Sequence, residues 1–266
     1  MTTLQAILIA IIEGLTEFLP ISSTAHMKFL NPLIGVNNNS FSEMFEIVIQ
    51  LAAILSVVVF FWKKFFDFKK FSFYFKLIIA VIPALVFGAL LKKHIDSAMD
   101  NLTVIACVMI GGGIILLFVD KWFTKVEIDD VDHISNKTAL TIGGFQVLSI
   151  LFPGLSRSAA TIIGGLSQKL SMKVAAEFSF FLAVPTMFAA SVKSVYDVTK
   201  EGSVSFDSNN LMILGIGSLV SFVVALLSIK FFIGFVKTKG FKVFGYYRIA
   251  LGITVLILIA TGVITQ

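Results

Sequence analysis

Residues 13–26 read EGLTEFLPISSTAH and interrupt an apolar N-terminal segment that begins LQAILIAII at residue 4. The stretch holds two carboxylates, a proline, two serines and a histidine. Inside a bilayer, irregular backbone is tolerated only where protein or a water-filled cavity surrounds it. The stretch therefore predicts a polar site enclosed by a membrane domain.

The composition is that of an integral membrane protein. Of the 266 residues, 57% are hydrophobic and only 14% are charged, whereas a soluble domain has roughly 25% charged residues. The net charge of +5 does not indicate a nucleic-acid partner, because the lysines cluster at the ends of apolar runs. We predict a single polytopic domain over residues 1–266, surrounded by membrane lipid.

Apolar runs long enough to cross a bilayer, which takes about 20 helical residues, recur along the chain. They cover residues 41–62, 74–91, 102–122, 174–193, 211–233 and 244–264. Two further apolar regions, 4–35 and 139–168, are broken near the middle by FLPISS and FPGLSRS. Each predicts a re-entrant hairpin of two half-helices, because either half is too short to cross alone.

The two broken regions are related by a shift of 133 residues, which places Pro20 on Pro153, Glu13 on Gln146 and Ser23 on Ser156. Repeat halves of about 1–133 and 134–266 would each contain one hairpin and three spans. An odd number of crossings inverts the second half relative to the first, as in transporters with broken helices. The predicted fold class is an all-α integral membrane protein with an inverted-topology repeat, each half one re-entrant helical hairpin plus three transmembrane helices.

Basic residues concentrate on one side of the predicted spans, which assigns that side to the cytoplasm by the positive-inside rule. The cytoplasmic loops would include Lys63, Lys64, Lys69, Lys70, Lys121, Lys125 and Arg248, whereas the opposite side carries few basic residues, such as Lys28, Lys193 and Lys200. Both termini are then expected to face outward, and the two hairpins enter the membrane from opposite sides.

Glu13 and Glu17 lie four residues apart, on one face of the first half-helix. Ionisable residues centred in a membrane segment cost roughly 2.5–3.5 kcal/mol each on insertion scales and are usually functional. One interpretation is a pair that is simply solvated near the interface. The functional interpretation is a pair that holds a divalent cation, Mg²⁺ or Ca²⁺, because both ions prefer oxygen ligands.

Ser22 and Ser23 stand where the second half-helix would begin. Serine commonly caps a helix there, and a helix N-terminus also attracts anions. His26 is three residues beyond Ser23, so the two side chains share a face of the helix. A hydroxyl beside an imidazole is a candidate nucleophile–base pair.

The second hairpin supplies a positive charge. In PGLSRSAAT, residues 153–161, Arg157 is one of two arginines in the chain, and Ser156, Ser158 and Thr161 add hydroxyl donors. A guanidinium with flanking hydroxyls at a helix start suits a phosphate group. The alternative is an ion pair between Arg157 and Glu17 that has no further role.

Together the two stretches resemble the motifs of the undecaprenyl-diphosphate phosphatases of bacterial inner membranes, the bacitracin-resistance type of membrane phosphatase. The first motif reads Glu/Gln-x-x-x-Glu followed by Pro-x-Ser-Ser-Thr-x-His, and the second reads Pro-Gly-x-Ser-Arg-Ser-x-x-Thr. Both are present in order, and the one departure is Ala159, where glycine is common in the family. The resemblance implies hydrolysis of undecaprenyl diphosphate to the monophosphate and inorganic phosphate, at a site open toward the outer face.

The resemblance also implies roles for individual residues. It makes Glu17, Ser23, His26 and Arg157 catalytic, with Ser23 as nucleophile unless a water molecule attacks directly. It assigns a divalent cation, Mg²⁺ or Ca²⁺, to Glu13 and Glu17. The substrate-binding residues would be Ser22, Gln146, Ser156, Arg157, Ser158 and Thr161. Whether the chain forms a homodimer is left open.

A transporter is the competing hypothesis, either a flippase for polyprenyl phosphate or an anion carrier, because inverted repeats and broken helices are equally typical of transporters. A carrier would need Arg157 and hydrogen-bond donors but not an acid pair with a Ser–His pair. A purely structural scaffold would leave the arginine and the carboxylates unexplained. The fold by itself does not decide among these functions.

Overall fold

The computed structural model describes residues 1–67 and 71–264, with side chains except at positions 93, 94, 96 and 237. Lys69 and Lys70, which the charge pattern assigns to a cytoplasmic loop, lie outside the described residues. The α-helices in these ranges are α1 (Thr3–Thr16), α2 (Ser23–Leu33), α3 (Ser40–Phe60), α4 (Trp62–Phe65), α5 (Phe71–Leu90), α6 (Lys92–Met99), α7 (Leu102–Trp122), α8 (Asn136–Leu151), α9 (Arg157–Ser167), α10 (Met172–Glu201), α11 (Ser208–Lys239) and α12 (Lys242–Ala260).

Within the described ranges, six helices are long and apolar enough to cross a membrane: α3, α5, α7, α10, α11 and α12. Polar side chains cap the N-termini of four of them, Asn39 for α3, Asn101 for α7, Ser171 for α10 and Asp207 for α11, and satisfy N–H groups that a helix leaves free. Large apolar side chains such as Leu219 and Leu227 remain exposed on the outside of the bundle, as expected for surfaces that contact lipid. The six predicted spans and the multi-pass membrane architecture are confirmed.

The two broken regions form pairs of short helices, α1 with α2 and α8 with α9. Helices α1 and α8 have 14 and 16 residues, or about 21 and 24 Å at 1.5 Å per residue, against a bilayer core of about 30 Å. Helices α2 and α9 are shorter still, with 11 residues each. The predicted breaks are therefore present, and the re-entrant placement of these pairs in a bilayer stays a prediction.

The turns between the half-helices share an uncommon backbone conformation. Ser22 and Ser156 both have positive φ, 70° and 77°, and each side chain caps the following helix by accepting from an N–H three residues on, at 3.3 Å. Ser22, rather than Ser23, is thus the counterpart of Ser156. The shift of 133 residues fails here because the second turn has one residue more, Gly154, whose φ of 96° suits glycine.

The packing of the two halves is reciprocal. Helix α1 packs along α11 as α8 packs along α5, and α3 contacts α11 as α10 contacts α5. Helices α7 and α12 pack against each other, and so do α3 and α10. The helices of the second half that correspond to α1, α3, α5 and α7 would be α8, α10, α11 and α12, in that order. Each of these contacts then either has an equivalent contact elsewhere or joins two corresponding helices. This is the pattern expected of duplicated halves, and their inversion and the boundary near residue 133 stay predictions.

The guanidinium of Arg248, on α12, joins both turns. Its Nε donates to the carbonyl oxygen of Met109 on α7 at 3.2 Å, and its Nη1 donates to those of Pro20 and Leu155 at 3.1 and 2.7 Å. Its Nη2 donates to the Gly154 carbonyl oxygen at 2.8 Å. Arg248 is 0% exposed, so its predicted position in a cytoplasmic loop is wrong. All four acceptors are distant in sequence, so the positive-inside rule, which counts basic residues near the ends of spans, could not identify Arg248 as a buried side chain.

Gly112 on α7 leaves the space that the Arg248 guanidinium occupies, and this generates a stability prediction. A Cβ at Gly112 would lie 3.0 Å from Arg248 Cζ, and four carbonyls hold that group in place. We expect Gly112→Ala to lower the free energy of unfolding by about 1–3 kcal/mol, the usual cost of overpacking. Thermal unfolding in detergent measures the effect.

Gly111→Ala is the matched control, because a Cβ at Gly111 has no atom within 4 Å. Alanine is a better helix former than glycine by roughly 0.5–1 kcal/mol, so this variant should match or exceed the wild-type melting temperature. Equal melting temperatures for the two variants would contradict the proposed clash.

Candidate active site

A cavity of about 640 Å³ lies between the two turns and helices α3, α5, α8 and α10. Both hairpins contribute polar residues to its lining, namely Glu17, Ser22, Ser23, Thr24, Gln146, Ser149, Ser156, Arg157 and Ser158. Charged residues of α3, α6 and α10, among them Glu43, Lys92, Lys193 and Asp197, line it elsewhere. Apolar side chains such as Met44, Leu85, Ile150 and Met187 form its walls. A polar end with apolar walls suits a ligand that has a charged head and an apolar chain.

The first residues of two helices line the cavity. Helix α2 begins at Ser23 and α9 begins at Arg157, and the capping residues Ser22 and Ser156 line the cavity as well. The N-terminal end of a helix carries a partial positive charge and free backbone N–H groups. The polar end of the cavity is therefore favourable for an anion even before the charge of Arg157 is counted.

Ser23, Glu17 and Arg157 form a continuous hydrogen-bonded chain. The Ser23 hydroxyl donates to Glu17 Oε2 at 2.5 Å, and Arg157 Nη2 forms an ion pair with Glu17 Oε1. The side chains of Glu17 and Arg157 are only 7% and 14% exposed, so solvent screens their attraction weakly. The ion pair predicted as an alternative is therefore present, and it joins the two hairpins next to a serine hydroxyl.

Arg157 is also held by α10. Its Nη1 donates to the Ser179 carbonyl oxygen at 3.3 Å, and the Ser179 hydroxyl lies 2.6 Å from Thr161 Oγ1. Thr161 is fully buried and donates to the Arg157 carbonyl oxygen at 2.9 Å. The structure places Thr161 behind Arg157 rather than at the cavity. Ser179 was missed by the sequence analysis, since nothing local marks a residue that contacts Arg157 from the next helix.

The remaining predicted substrate-binding residues line the cavity. Ser158 donates to the Leu19 carbonyl oxygen at 3.0 Å, which links the second hairpin to the first, and lies 3.0 Å from the Ser156 hydroxyl. Because a hydroxyl has one proton to donate, Ser156 donates to Ser158. Gln146 Nε2 donates to Thr186 Oγ1 at 3.3 Å, which orients its amide along the wall.

His26 does not pair with Ser23. Its Nδ1 lies 2.7 Å from the Ser22 carbonyl oxygen, and its Nε2 lies 2.8 Å from the Tyr247 hydroxyl on α12. His26 is buried and is absent from the cavity lining. The candidate nucleophile–base pair of Ser23 and His26 is therefore not hydrogen-bonded, and the Ser23 hydroxyl donates to Glu17 instead. Tyr247 was missed because it lies 221 residues away in sequence and no local pattern marks it.

Glu13 is the residue whose surroundings best fit a cation. It is fully buried on α1, one turn before Glu17, and neither of its carboxylate oxygens has a hydrogen-bonding partner among the described residues. A buried carboxylate without a partner is costly, and a hard cation bound by oxygen ligands would satisfy it.

The described part of the chain contains no group of three or more His, Cys, Asp or Glu arranged to hold a metal ion. Glu13 and Glu17 supply two carboxylates, which is the number that often binds Mg²⁺ when phosphate and water complete its coordination. The pair therefore fits an ion that is shared with a phosphate ligand rather than enclosed by protein.

Comparison with known proteins relates the whole chain to one family. The family model described as bacitracin resistance protein BacA matches residues 6–254. A protein of Flavobacterium johnsoniae named undecaprenyl-diphosphatase is 52% identical over 260 residues, covering 97% of this chain and 96% of its own. Proteins of the same name from Porphyromonas gingivalis and Bdellovibrio bacteriovorus are 47% and 43% identical, with 99% and 98% of both chains covered. The chain belongs to the bacitracin resistance protein BacA family.

Proposed function

We infer that this chain is an undecaprenyl-diphosphatase, a membrane hydrolase that converts undecaprenyl diphosphate to undecaprenyl phosphate and inorganic phosphate. The relatives that share about half of its residues over nearly their full length carry this name. The observation that carries the inference is the Ser23–Glu17–Arg157 chain at the polar end of a cavity with apolar walls. The reaction regenerates the lipid carrier of cell-wall precursors and fits a role in bacitracin resistance.

We propose that Ser23 attacks the terminal phosphorus of the diphosphate. The Ser23 hydroxyl already donates to Glu17 Oε2, so Glu17 can take its proton as the Oγ–P bond forms and the bridging P–O bond breaks. Undecaprenyl phosphate leaves with the bridging oxygen. Water then hydrolyses the phosphoserine, which releases inorganic phosphate and restores the Ser23 hydroxyl.

Arg157 would bind the phosphoryl group that is transferred. A guanidinium has five N–H donors, and the described contacts to Glu17 and Ser179 use one on Nη1 and one on Nη2. The remaining donors can engage two phosphate oxygens at fixed geometry. The N-termini of α2 and α9 add favourable electrostatics for the charge that accumulates on the phosphoryl oxygens.

A divalent cation, Mg²⁺ or Ca²⁺, is proposed as the cofactor, with Glu13 and Glu17 as its protein ligands. When bound, such an ion neutralises phosphate charge and polarises the phosphoryl oxygens. The unpartnered carboxylate of Glu13 supports this proposal. Glu13 does not line the cavity, but it lies one helical turn from Glu17 on the same face of α1. It is therefore proposed to bind the cation from behind Glu17.

A transporter remains a weaker candidate. It would explain the broken helices and Arg157, and it would not require a serine hydroxyl bonded to a carboxylate. The Ser23–Glu17 bond and the name of the relatives favour the hydrolase.

Phosphate release from farnesyl diphosphate and undecaprenyl diphosphate by the purified protein tests the function. We expect release in Mg²⁺ and its loss in EDTA, with recovery when Mg²⁺ is restored. Ser23→Ala should lower kcat by more than about 10³-fold, because it removes the nucleophile. Substantial turnover by Ser23→Ala would favour direct attack by water, and turnover unaffected by EDTA would exclude the cation.

Arg157→Lys tests the phosphate clamp against a purely structural ion pair. Lysine keeps the positive charge but cannot bind two oxygens in a plane, so kcat/KM should fall by at least about 10²-fold, the scale of losing one preorganised electrostatic contact. The melting temperature in detergent should change little. An Arg157→Lys protein with normal kcat/KM would refute the clamp.

The chain's other arginine provides the contrast. Arg248→Lys should lower the melting temperature by several degrees, because one ammonium cannot reach all four carbonyls and leaves buried acceptors unpaired. Similar melting temperatures for Arg157→Lys and Arg248→Lys would contradict the proposal that only Arg248 has a mainly structural role.

The active site is proposed to open on the outer face of the cytoplasmic membrane, since the basic loops mark the opposite side as cytoplasmic. Single cysteines at Ser205 and Asp129, in a protein whose Cys107 has been replaced, test this. Both positions are exposed loop residues. A membrane-impermeant maleimide should label Ser205→Cys and not Asp129→Cys in intact cells. The reverse pattern would place the cavity mouth, near Lys193 and Asp197, in the cytoplasm.

A further inference from the structure

Both ring nitrogens of His26 are engaged, and the contacts define its tautomer. The Ser22 carbonyl oxygen, 2.7 Å from Nδ1, can only accept a hydrogen bond, so Nδ1 carries a proton. In a neutral imidazole Nε2 is then an acceptor, and the Tyr247 hydroxyl, 2.8 Å away, donates to it. The planes of the two rings are parallel to within 2°, an orientation compatible with a hydrogen bond between Nε2 and the hydroxyl.

The Ser22 carbonyl belongs to the same peptide plane as the backbone nitrogen of Ser23. Ser22 has φ 70° and ψ 90°, a conformation that a residue with a side chain adopts rarely. A hydrogen bond that holds this carbonyl therefore holds the peptide plane that precedes Ser23. The direction of the Ser23 hydroxyl toward Glu17 depends on that plane.

The second hairpin shows that such a turn forms without an imidazole. Ser156 has nearly the same φ as Ser22, and the residue four positions on, which corresponds to His26, is Ala160. The Ser156 carbonyl accepts the Ala160 backbone N–H at 3.0 Å, and no side-chain donor to it occurs among the described contacts. The extra bond from His26 thus appears only in the turn that carries the Ser23 hydroxyl.

We propose that His26 is a positioning residue, and that Tyr247 holds it in the tautomer that fixes the Ser22–Ser23 peptide. The proposal rests on the proposed phosphatase function and assigns to Tyr247 a role in it. Proton transfer from Ser23 is left to Glu17, which is the group in contact with that hydroxyl.

Two substitutions of His26 separate positioning from proton transfer. His26→Asn places an amide N–H close to the position of Nδ1 and so can still donate to the Ser22 carbonyl, whereas His26→Gln places its amide near the position of Nε2. We expect His26→Asn to keep kcat within about tenfold of wild type and His26→Gln to lose about 10²-fold or more. If His26 is instead a general acid or base, both should lose about 10²–10⁴-fold alike.

Tyr247→Phe and Tyr246→Phe form a matched pair. Both tyrosines are exposed, but only Tyr247 makes a hydrogen bond among the described contacts. Removing the Tyr247 hydroxyl should lower kcat by roughly 10-fold or more, the scale of losing a group that orients an imidazole, with KM and the melting temperature nearly unchanged. Tyr246→Phe should behave as wild type, and equal kcat values for the two variants would overturn the role of Tyr247.

A measurement independent of activity completes the test. In protein labelled with ¹⁵N-histidine, the chemical shifts of His26, assigned by comparison with His26→Asn, should report the Nδ1–H tautomer. Tyr247→Phe should introduce the other tautomer. An Nε2–H tautomer in the wild type would overturn the proposal whether or not phosphate is released, and failure of wild-type hydrolysis would count against the proposed function alone.

Discussion

The buried guanidinium of Arg248 is the interaction on which the rest of the structure depends. The turns between the half-helices have carbonyl groups that lack a helical partner, and each such group is costly when it is buried without a hydrogen bond. Arg248 donates to carbonyls of both turns and of α7. One side chain thereby stabilises two irregular segments and also fixes the distance between them.

The chemistry of the site follows from that distance. The first hairpin brings the carboxylates and the Ser23 hydroxyl, and the second brings the cation. Their contacts cross from one hairpin to the other, in the ion pair of Glu17 with Arg157 and in the bond from Ser158 to the Leu19 carbonyl. Neither hairpin contains all residues of the proposed site, so the geometry of that site depends on how the two turns are placed relative to each other.

Much of this arrangement could be predicted from the sequence because it is local. Twenty apolar residues in a row define a span, and a proline followed by serines marks a break whatever surrounds it. Glu17 and Arg157 were identifiable because charged residues are rare in apolar segments. The roles of Arg248 and Tyr247 were not predictable, because their partners lie 93 to 228 and 221 residues away. Helical spacing predicts that Ser23 and His26 share a face of α2, but it could not show that Ser23 donates to Glu17 or that His26 contacts the Ser22 carbonyl and Tyr247.

The groups proposed to attract phosphate at this cavity are a guanidinium and the N-termini of α2 and α9. Peptide dipoles have no proton to lose, so the attraction of an anion to these helix ends does not depend on ionisation. If the cavity opens outward, as proposed, it faces a medium whose acidity the cell does not control. The part of head-group binding that comes from the helix N-termini would then be independent of external acidity.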